Sequence, residues 1–245
     1  MGKADLHIHT RVSDGMATIE QVLERAEGEA GLDMVAITDH EDVTGGLRAR
    51  ELAAKRGYRL QVVPGAEITT LQGHLLALFI EDTPKSFRGV ESTVEMVHAQ
   101  GGLAVVPHPM SWLTRSVSRR TLDRVMLRAE SGIAFDAIET ANPSPAGLLT
   151  GRAARHLNAR RWRLPEVGGS DAHHLACVGC GWTEFPGETV DDLRAAITGG
   201  TTQAAMRRYP SLREVGLGQA ALGLVWGYAA TPRKMLRRPR ARDNR

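Results

Sequence analysis

Ala4-Asp5-Leu6-His7-Ile8-His9-Thr10 opens the chain with a short apolar run that ends on two histidines one residue apart. An extended backbone sends residues i and i+2 to the same side, so His7 and His9 project together and suit chelation of one ion. Alone, an H-x-H pair is equally compatible with an incidental structural role. Here it stands between Asp5 and Ser13-Asp14-Gly15, and the same pattern recurs downstream. Val35-Ala36-Ile37 runs into Thr38-Asp39-His40, Val62-Val63-Pro64 into Gly65-Ala66-Glu67, Val105-Val106 into Pro107-His108-Pro109, and Gly168-Gly169-Ser170 into Asp171-Ala172-His173, with His74 between the second and third of these. Nitrogen and oxygen ligands that each terminate an apolar strand predict a multinuclear metal site on the rim of a barrel.

Outward from these motifs, short apolar segments alternate with amphipathic ones, the signature of a mainly parallel sheet or barrel. Strands are predicted at 4–9, 34–38, 60–64, 74–80, 103–106, 137–140 and 166–168. Helices are predicted at 18–29, 45–56, 90–100, 119–129, 145–160 and 189–198, with Thr18, Thr44 and Thr189 as caps near their starts. Between residues 60 and 80 two apolar runs are too close for an intervening helix, which predicts a hairpin or strand extension. After residue 206 the rhythm fades, so residues 1–206 are expected to form the catalytic domain and 207–245 an appendage.

At 245 residues and 42% hydrophobic content the chain has the size of one α/β barrel with a sizeable core. Its formal charge is +3, and basic residues concentrate in Arg233-Lys234-Met235-Leu236-Arg237-Arg238-Pro239-Arg240. Residues 215–230 carry no charge but include Gln219 and four glycines, Gly216, Gly218, Gly223 and Gly227, and fall short of the roughly 20 apolar residues a spanning helix needs. They read as a helix packed on the barrel or a partner in preference to an interfacial anchor. Two cysteines, Cys177 and Cys180, are too few and too close for a disulfide framework, and a single C-x-x-C is a weak zinc or redox signal. With no apolar leader before the first motif, a cytoplasmic location is expected, with peripheral membrane contact as the tail's contribution.

Among the single residues, Asp39 either caps a turn or orients His40, since metal-bound imidazoles donate their second N–H to an acceptor. Glu67 can bridge two cations through its two oxygens, or serve as a surface turn residue. His98 and His156 lie in helical patterns and have no place at the site. Gly168-Gly169-Ser170 lacks the lysine of a phosphate loop and reads as a tight entry to Asp171, and no nucleotide cofactor is indicated. Arg11, Arg115 and Arg119 (with Arg120) lie where they could grip a substrate phosphate by bidentate bonding, or could equally be solvated surface side chains.

The ordered motifs D-L-H-I-H-T, S-D-G, I-T-D-H, G-A-E-I-T with a following G-H, P-H-P and G-S-D-A-H resemble the polymerase and histidinol phosphatase (PHP) superfamily, in particular its small stand-alone metal-dependent phosphoesterases. The resemblance spans residues 4–185. It implies a distorted (β/α)7 TIM-like barrel with two or three divalent ions, manganese, iron or zinc, at its C-terminal face. Carried over by motif, it implies that His7, His9, Glu67 and Asp171 hold one ion, Glu67, His74 and His108 a second, and Asp14, His40 and His173 a third. Some members of the family have histidine where Asp14 stands, and an oxygen ligand there favours manganese or iron over zinc.

Such a site implies hydrolysis of a phosphate ester by a metal-activated hydroxide, with His40 and His173 as candidates for proton transfer. The expected substrate is a phosphorylated small molecule, or the terminal phosphate or phosphodiester of a nucleotide or oligonucleotide end. The basic tail offers weak, salt-sensitive contact with nucleic acid. An amidohydrolase-like enzyme shares the H-x-H strand end, but Lys3, Lys55, Lys85 and Lys234 do not sit at strand ends as a bridging carbamylated lysine would. A non-catalytic metal-binding regulatory module is a further alternative, which the complete ligand set disfavours.

Overall fold

The computed structural model describes residues 1–216 and Gly218. Nine strands form one curved sheet in the order β7-β6-β5-β4-β3-β2-β1-β8-β9. Strands β1 (Gly2–Ile8), β2 (Met34–Ile37) and β3 (Gln61–Thr70) pair in parallel. β4 (Gly73–Leu78) turns back against β3 as the predicted hairpin and also pairs antiparallel with β5 (Leu103–Val106). β5, β6 (Ala137–Ala141) and β7 (Glu166–Gly168) are again parallel. The strongest apolar runs are buried on both faces: every residue of β2 and of β5 is buried, as strands between a barrel interior and a helical layer must be.

β8 (Gly181–Phe185) and β9 (Gln203–Met206) escaped the sequence pattern. β8 runs antiparallel beside β1 and alternates buried with half-buried residues, while β9 is an edge strand with no buried residue. Neither has the continuous apolar run that marks the parallel strands. They fill the gap between β1 and β7, which side chains then close. The Asp5 carboxylate accepts backbone N–H groups from His7 at 3.3 Å, Ser170 at 2.8 Å and Gly179 at 2.8 Å. Thr183 Oγ1 exchanges hydrogen bonds with the backbone of Gly168 at 2.8 and 3.0 Å.

Helices cover the outside of the sheet: α1 (Ile19–Glu27), α2 (Thr44–Arg56), α3 (Val90–His98), α4 (Arg119–Met126), α5 (Pro145–Leu157) and α6 (Val190–Gly199). Thr18 and Thr189 cap α1 and α6 in reciprocal capping boxes with Gln21 and Asp192. Thr44 does not cap α2. Its hydroxyl donates to Asp42 Oδ1 at 2.6 Å, and Val43 occupies the cap position without a side-chain bond. α5 gives way to a π turn, Asn158–Trp162, that ends on Arg163 in the left-handed region.

After β9, Tyr209 and Val215 pack on the core cluster shared by α1 and α2, and a short α7 (Leu212–Val215) follows. Apart from Val215, Gly216 and Gly218, the apolar stretch 215–230 and the basic tail lie outside the described residues. Among the described residues no helix is long and apolar enough to cross a membrane.

Candidate metal centre

Strand ends deliver the ligand-type side chains to one place. His7 and His9 leave the end of β1, and the chain after β7 runs alongside that end, with His9 N–H bonded to the Ala172 carbonyl at 3.0 Å. Asp171 and His173 flank Ala172 and so enter the site from the other side of the seam. His40 lies beyond β2 in an isolated parallel bridge with Glu67 of β3. Across the hairpin Thr69 pairs with His74, which sets Glu67, two residues back on the same face, diagonal to His74. His108 follows β5 with φ 29° between its two prolines, and Asp171 has φ 52°. Left-handed backbone of this kind is costly for residues with a side chain and persists where surrounding contacts impose it.

All nine side chains implied as ligands converge. Glu67 Oε1 lies 2.8 Å from His74 Nδ1 and 3.1 Å from His108 Nε2. Glu67 Oε2 lies 3.2 Å from His9 Nε2 and 3.4 Å from both His7 Nε2 and His40 Nδ1. Asp171 Oδ1 is 3.5 Å from His7 Nε2 and from His9 Nε2. Asp14 faces His173 Nε2 at 3.4 Å, His9 Nδ1 at 3.7 Å and His40 Nε2 at 3.8 Å. Four overlapping groups emerge: His7, His9 and Glu67; His7, His108 and Asp171; His40, Glu67 and His74; and His9, Asp14, His40 and His173.

These residues fit cations. Two ligands held about 2.1 Å from one ion in tetrahedral geometry stand roughly 3.4 Å apart, close to most of the spacings here. Buried polar atoms normally find hydrogen-bond partners, yet both ring nitrogens of His9 and Nδ1 of His74 are buried without one. His74 Nδ1 is in contact distance of Glu67 Oε1 but not aligned to donate to it. Nitrogen and oxygen lone pairs directed at a shared point are what a cation satisfies.

The imidazoles and carboxylates of the cluster shift one another's titration. Burial works against charge on Glu67 and Asp171, but the histidines around them, His74 foremost for Glu67 and His7 for Asp171, hold both carboxyls well below the usual range. Asp14 is likewise held low by His173 despite its burial. Burial opposes charge on His7, His108 and His173 too, and is outweighed by carboxylates, with His173 raised to about 9 by Asp14. Asp5, outside the cluster, is pushed up to about 6 by burial even though three N–H groups favour its ionised form.

Asp39 organises the preceding loop. Its oxygens accept from Thr10 N at 2.7 Å, Thr10 Oγ1 at 2.6 Å, Ser13 N at 3.2 Å and Ser13 Oγ at 2.6 Å, which orders the turn that presents Asp14. The arginines are placed as follows. Arg11 is exposed and donates to the Met16 carbonyl at 2.9 Å, Arg115 reaches the Thr70 carbonyl at 3.3 Å, and Arg119 lies 3.9 Å from Asp123 one turn along α4. Arg115 runs beside one ligand-type residue, its carbonyl accepting the N–H of His74 at 2.9 Å. Sequence reading missed Ser116, whose hydroxyl lies 2.8 Å from His108 Nδ1, and Glu139, buried beside His7. A carboxylate inside the apolar run Ala137-Ile138-Glu139 was the available signal for the second.

A family model described as the PHP domain matches residues 5–136, and one described as PHP-associated matches residues 152–202. An uncharacterized protein of Methanocaldococcus jannaschii is 38% identical over 133 residues, 49% of this chain and 75% of that protein. A phosphoribosyl 1,2-cyclic phosphate 1,2-diphosphodiesterase of Eggerthella lenta is 37% identical over 39% of this chain, and the match spans only 38% of that enzyme. In fold, a two-domain protein of Bacteroides vulgatus containing a predicted PHP-like metal-dependent phosphoesterase superposes with a TM-score of 0.65 at 21% identity, covering 84% of this chain and 64% of that one.

Proposed function

This chain belongs to the PHP domain family, and from that membership we propose that it is a metal-dependent phosphoesterase acting on a phosphomonoester, or on a terminal phosphate or phosphodiester of a nucleotide or short oligonucleotide. The observation that carries the reading is the convergence of six histidines and three carboxylates, His7, His9, His40, His74, His108, His173, Asp14, Glu67 and Asp171, on Glu67 and its neighbours, with buried ring nitrogens of His9 and His74 that lack hydrogen-bond partners. The relative from Eggerthella, a phosphodiesterase by name, supports the reaction class.

Two or three divalent cations, manganese, iron or zinc, would be held by these residues and would supply neutralisation of phosphoryl oxygens and acidification of a water molecule. The chain's own contributions are positional and protonic. Glu67, buried and facing ligands with both oxygens, keeps the groups in register. His40 and His173 stand with Asp14 on the more exposed side of the cluster, where a proton can pass between a leaving oxygen and solvent. Arg115 is the arginine best placed to meet a phosphate beside His74. The substrate is a phosphorylated small molecule or an oligonucleotide end; tail contacts with nucleic acid or a membrane surface, and a cytoplasmic location, are extensions of the same proposal.

The test is elemental analysis followed by assay of manganese-, iron- and zinc-loaded protein on phosphate monoesters, short oligonucleotides and amides. Phosphate release abolished by a chelator is expected. Hydrolysis of amides alone would favour the amidohydrolase-like alternative. Activity unchanged in a Glu67→Ala, His108→Ala double variant would overturn the assignment.

A further inference from the structure

β6 and the turn into α5 contribute none of the nine ligand-type residues, yet two of their side chains, linked through a third, touch three of those residues. Glu139 is 2% exposed in the middle of β6. Its Oε1 accepts from His7 Nδ1 at 3.1 Å, and its Oε2 accepts from the backbone N–H of His108 at 2.7 Å and from Asn142 Nδ2 at 2.7 Å. Asn142 Oδ1 in turn accepts from Ser144 N at 2.9 Å, and the Ser144 hydroxyl donates to Asp171 Oδ2 at 3.0 Å. The relay leaves His7 Nε2 and Asp171 Oδ1, 3.5 Å apart, directed into the cluster.

We infer that Glu139, with Asn142 and Ser144 extending its reach, is the positioning residue of the metal centre: it places the ring proton of His7 on Nδ1 and holds the His108 backbone in its left-handed conformation. The inference rests on the metal-centre reading above. An imidazole can offer a lone pair from Nε2 only when its proton sits on Nδ1, and a buried carboxylate acceptor at Nδ1 selects that tautomer and raises the ligand's basicity. His108, at φ 29°, is squeezed between Pro107 and Pro109, which have no N–H of their own; its own N–H has Glu139 Oε2 as partner. Asp171, the other ligand-type residue with positive φ, is gripped by Ser144. Space is reserved for the arrangement as well, because a Cβ on Gly169 would lie 2.7 Å from Glu139 Oε1 and 2.5 Å from His7 Cβ.

Two measurements on the full chain test this. In zinc-loaded, 15N-histidine-labelled wild-type protein, long-range proton–nitrogen spectra are expected to show His7 protonated at Nδ1 with a strongly hydrogen-bonded proton; a His7 proton on Nε2 overturns the inference. By chelator competition, Glu139→Ala is expected to weaken zinc binding by about 10–100-fold, the range seen when such acceptors are removed. Glu139→Gln, which keeps one acceptor oxygen, should recover part of that loss. Folded variants that bind zinc within about twofold of wild type overturn the positioning role while leaving the metal centre standing. Wild-type protein that takes up no zinc, manganese or iron overturns the centre itself. If Glu139→Ala does not fold, the wild-type spectrum and the Glu139→Gln affinity still decide.

Discussion

Glu67 Oε1 and His74 Nδ1 approach to 2.8 Å without forming a hydrogen bond, on facing strands of one hairpin. Both atoms are buried. Glu67 also meets His108 through the same oxygen and His7, His9 and His40 through the other, so a single carboxylate belongs to two of the overlapping groups and contacts histidines of the other two.

Glu67→Gln replaces one of these oxygens by an amide nitrogen with no lone pair to offer. Elemental analysis is expected to show at least one divalent ion fewer per chain than in wild type, and initial rates of phosphate release to fall by about 100-fold or more, since the ions supply several kcal/mol of charge stabilisation.

Asp39→Ala strips partners from two buried backbone N–H groups and two hydroxyls in the Thr10–Ser13 turn. Hydrogen bonds to a charged acceptor are worth about 1.5–3 kcal/mol each, so a loss of roughly 3 kcal/mol or more is expected in denaturant unfolding. Because the turn carries Asp14, ion stoichiometry should fall as well. Asn at this position, which retains one oxygen, should be milder in both readings.

Gly168 and Gly181 face one another's strands across the barrel seam: a Cβ on Gly168 would stand 2.2 Å from the Trp182 carbonyl, and one on Gly181 2.2 Å from the Gly169 carbonyl. The obstructing atoms are backbone and cannot rotate away. Either glycine changed to alanine is expected to cost about 1–3 kcal/mol, the usual range for overpacking, as a shift of the urea midpoint.

Thr189 caps α6 and Thr44 does not cap α2. Thr189→Ala should therefore cost about 1 kcal/mol, and Thr44→Ala, which loses only a bond to the Asp42 side chain on the surface, clearly less. Thermal melts of the two variants beside wild type make the comparison.

Cys177 is buried, and burial pushes its thiol up to about 11 from an ordinary value near 9. The folded protein holds the neutral thiol, so this group's contribution to stability is complete below pH 9 and declines as pH rises from 9 through 11. At pH 8 the native thiol is expected to resist Ellman's reagent and to react promptly in denaturant; fast labelling of Cys177 in the folded protein would contradict its placement.

Most ligand-type residues are legible because they follow an apolar run, and those runs are β1, β2, β3, β5 and β7; Asp14 in the loop after β1 and His74 at the start of β4 are placed by their motifs instead. The hairpin of β3 and β4 was legible from its spacing. β8 and β9 were not, because a strand on the outer seam needs no continuous apolar run. Thr44 misled because a helix-start residue type is common to caps and to turns; which one forms depends on where Asp42 points. The bonds of Asp39 to Thr10 and Ser13 are not legible in the sequence, because those residues lie 29 and 26 positions earlier in the chain.

By itself the sequence determined which residues offer ligand-type nitrogen and oxygen atoms and the order in which the sheet presents them, since both follow from local chemistry and a two-residue repeat. Only the tertiary structure decided which of them share a centre, that Glu67 is where they meet, and that Asp5 and Glu139, acidic residues without a ligand's place, brace the seam and the site. Those relations join β1 to β6 and β7, more than 130 residues apart in the chain, and contacts across such separations are set by how the sheet curls back on itself rather than by any pattern within a strand.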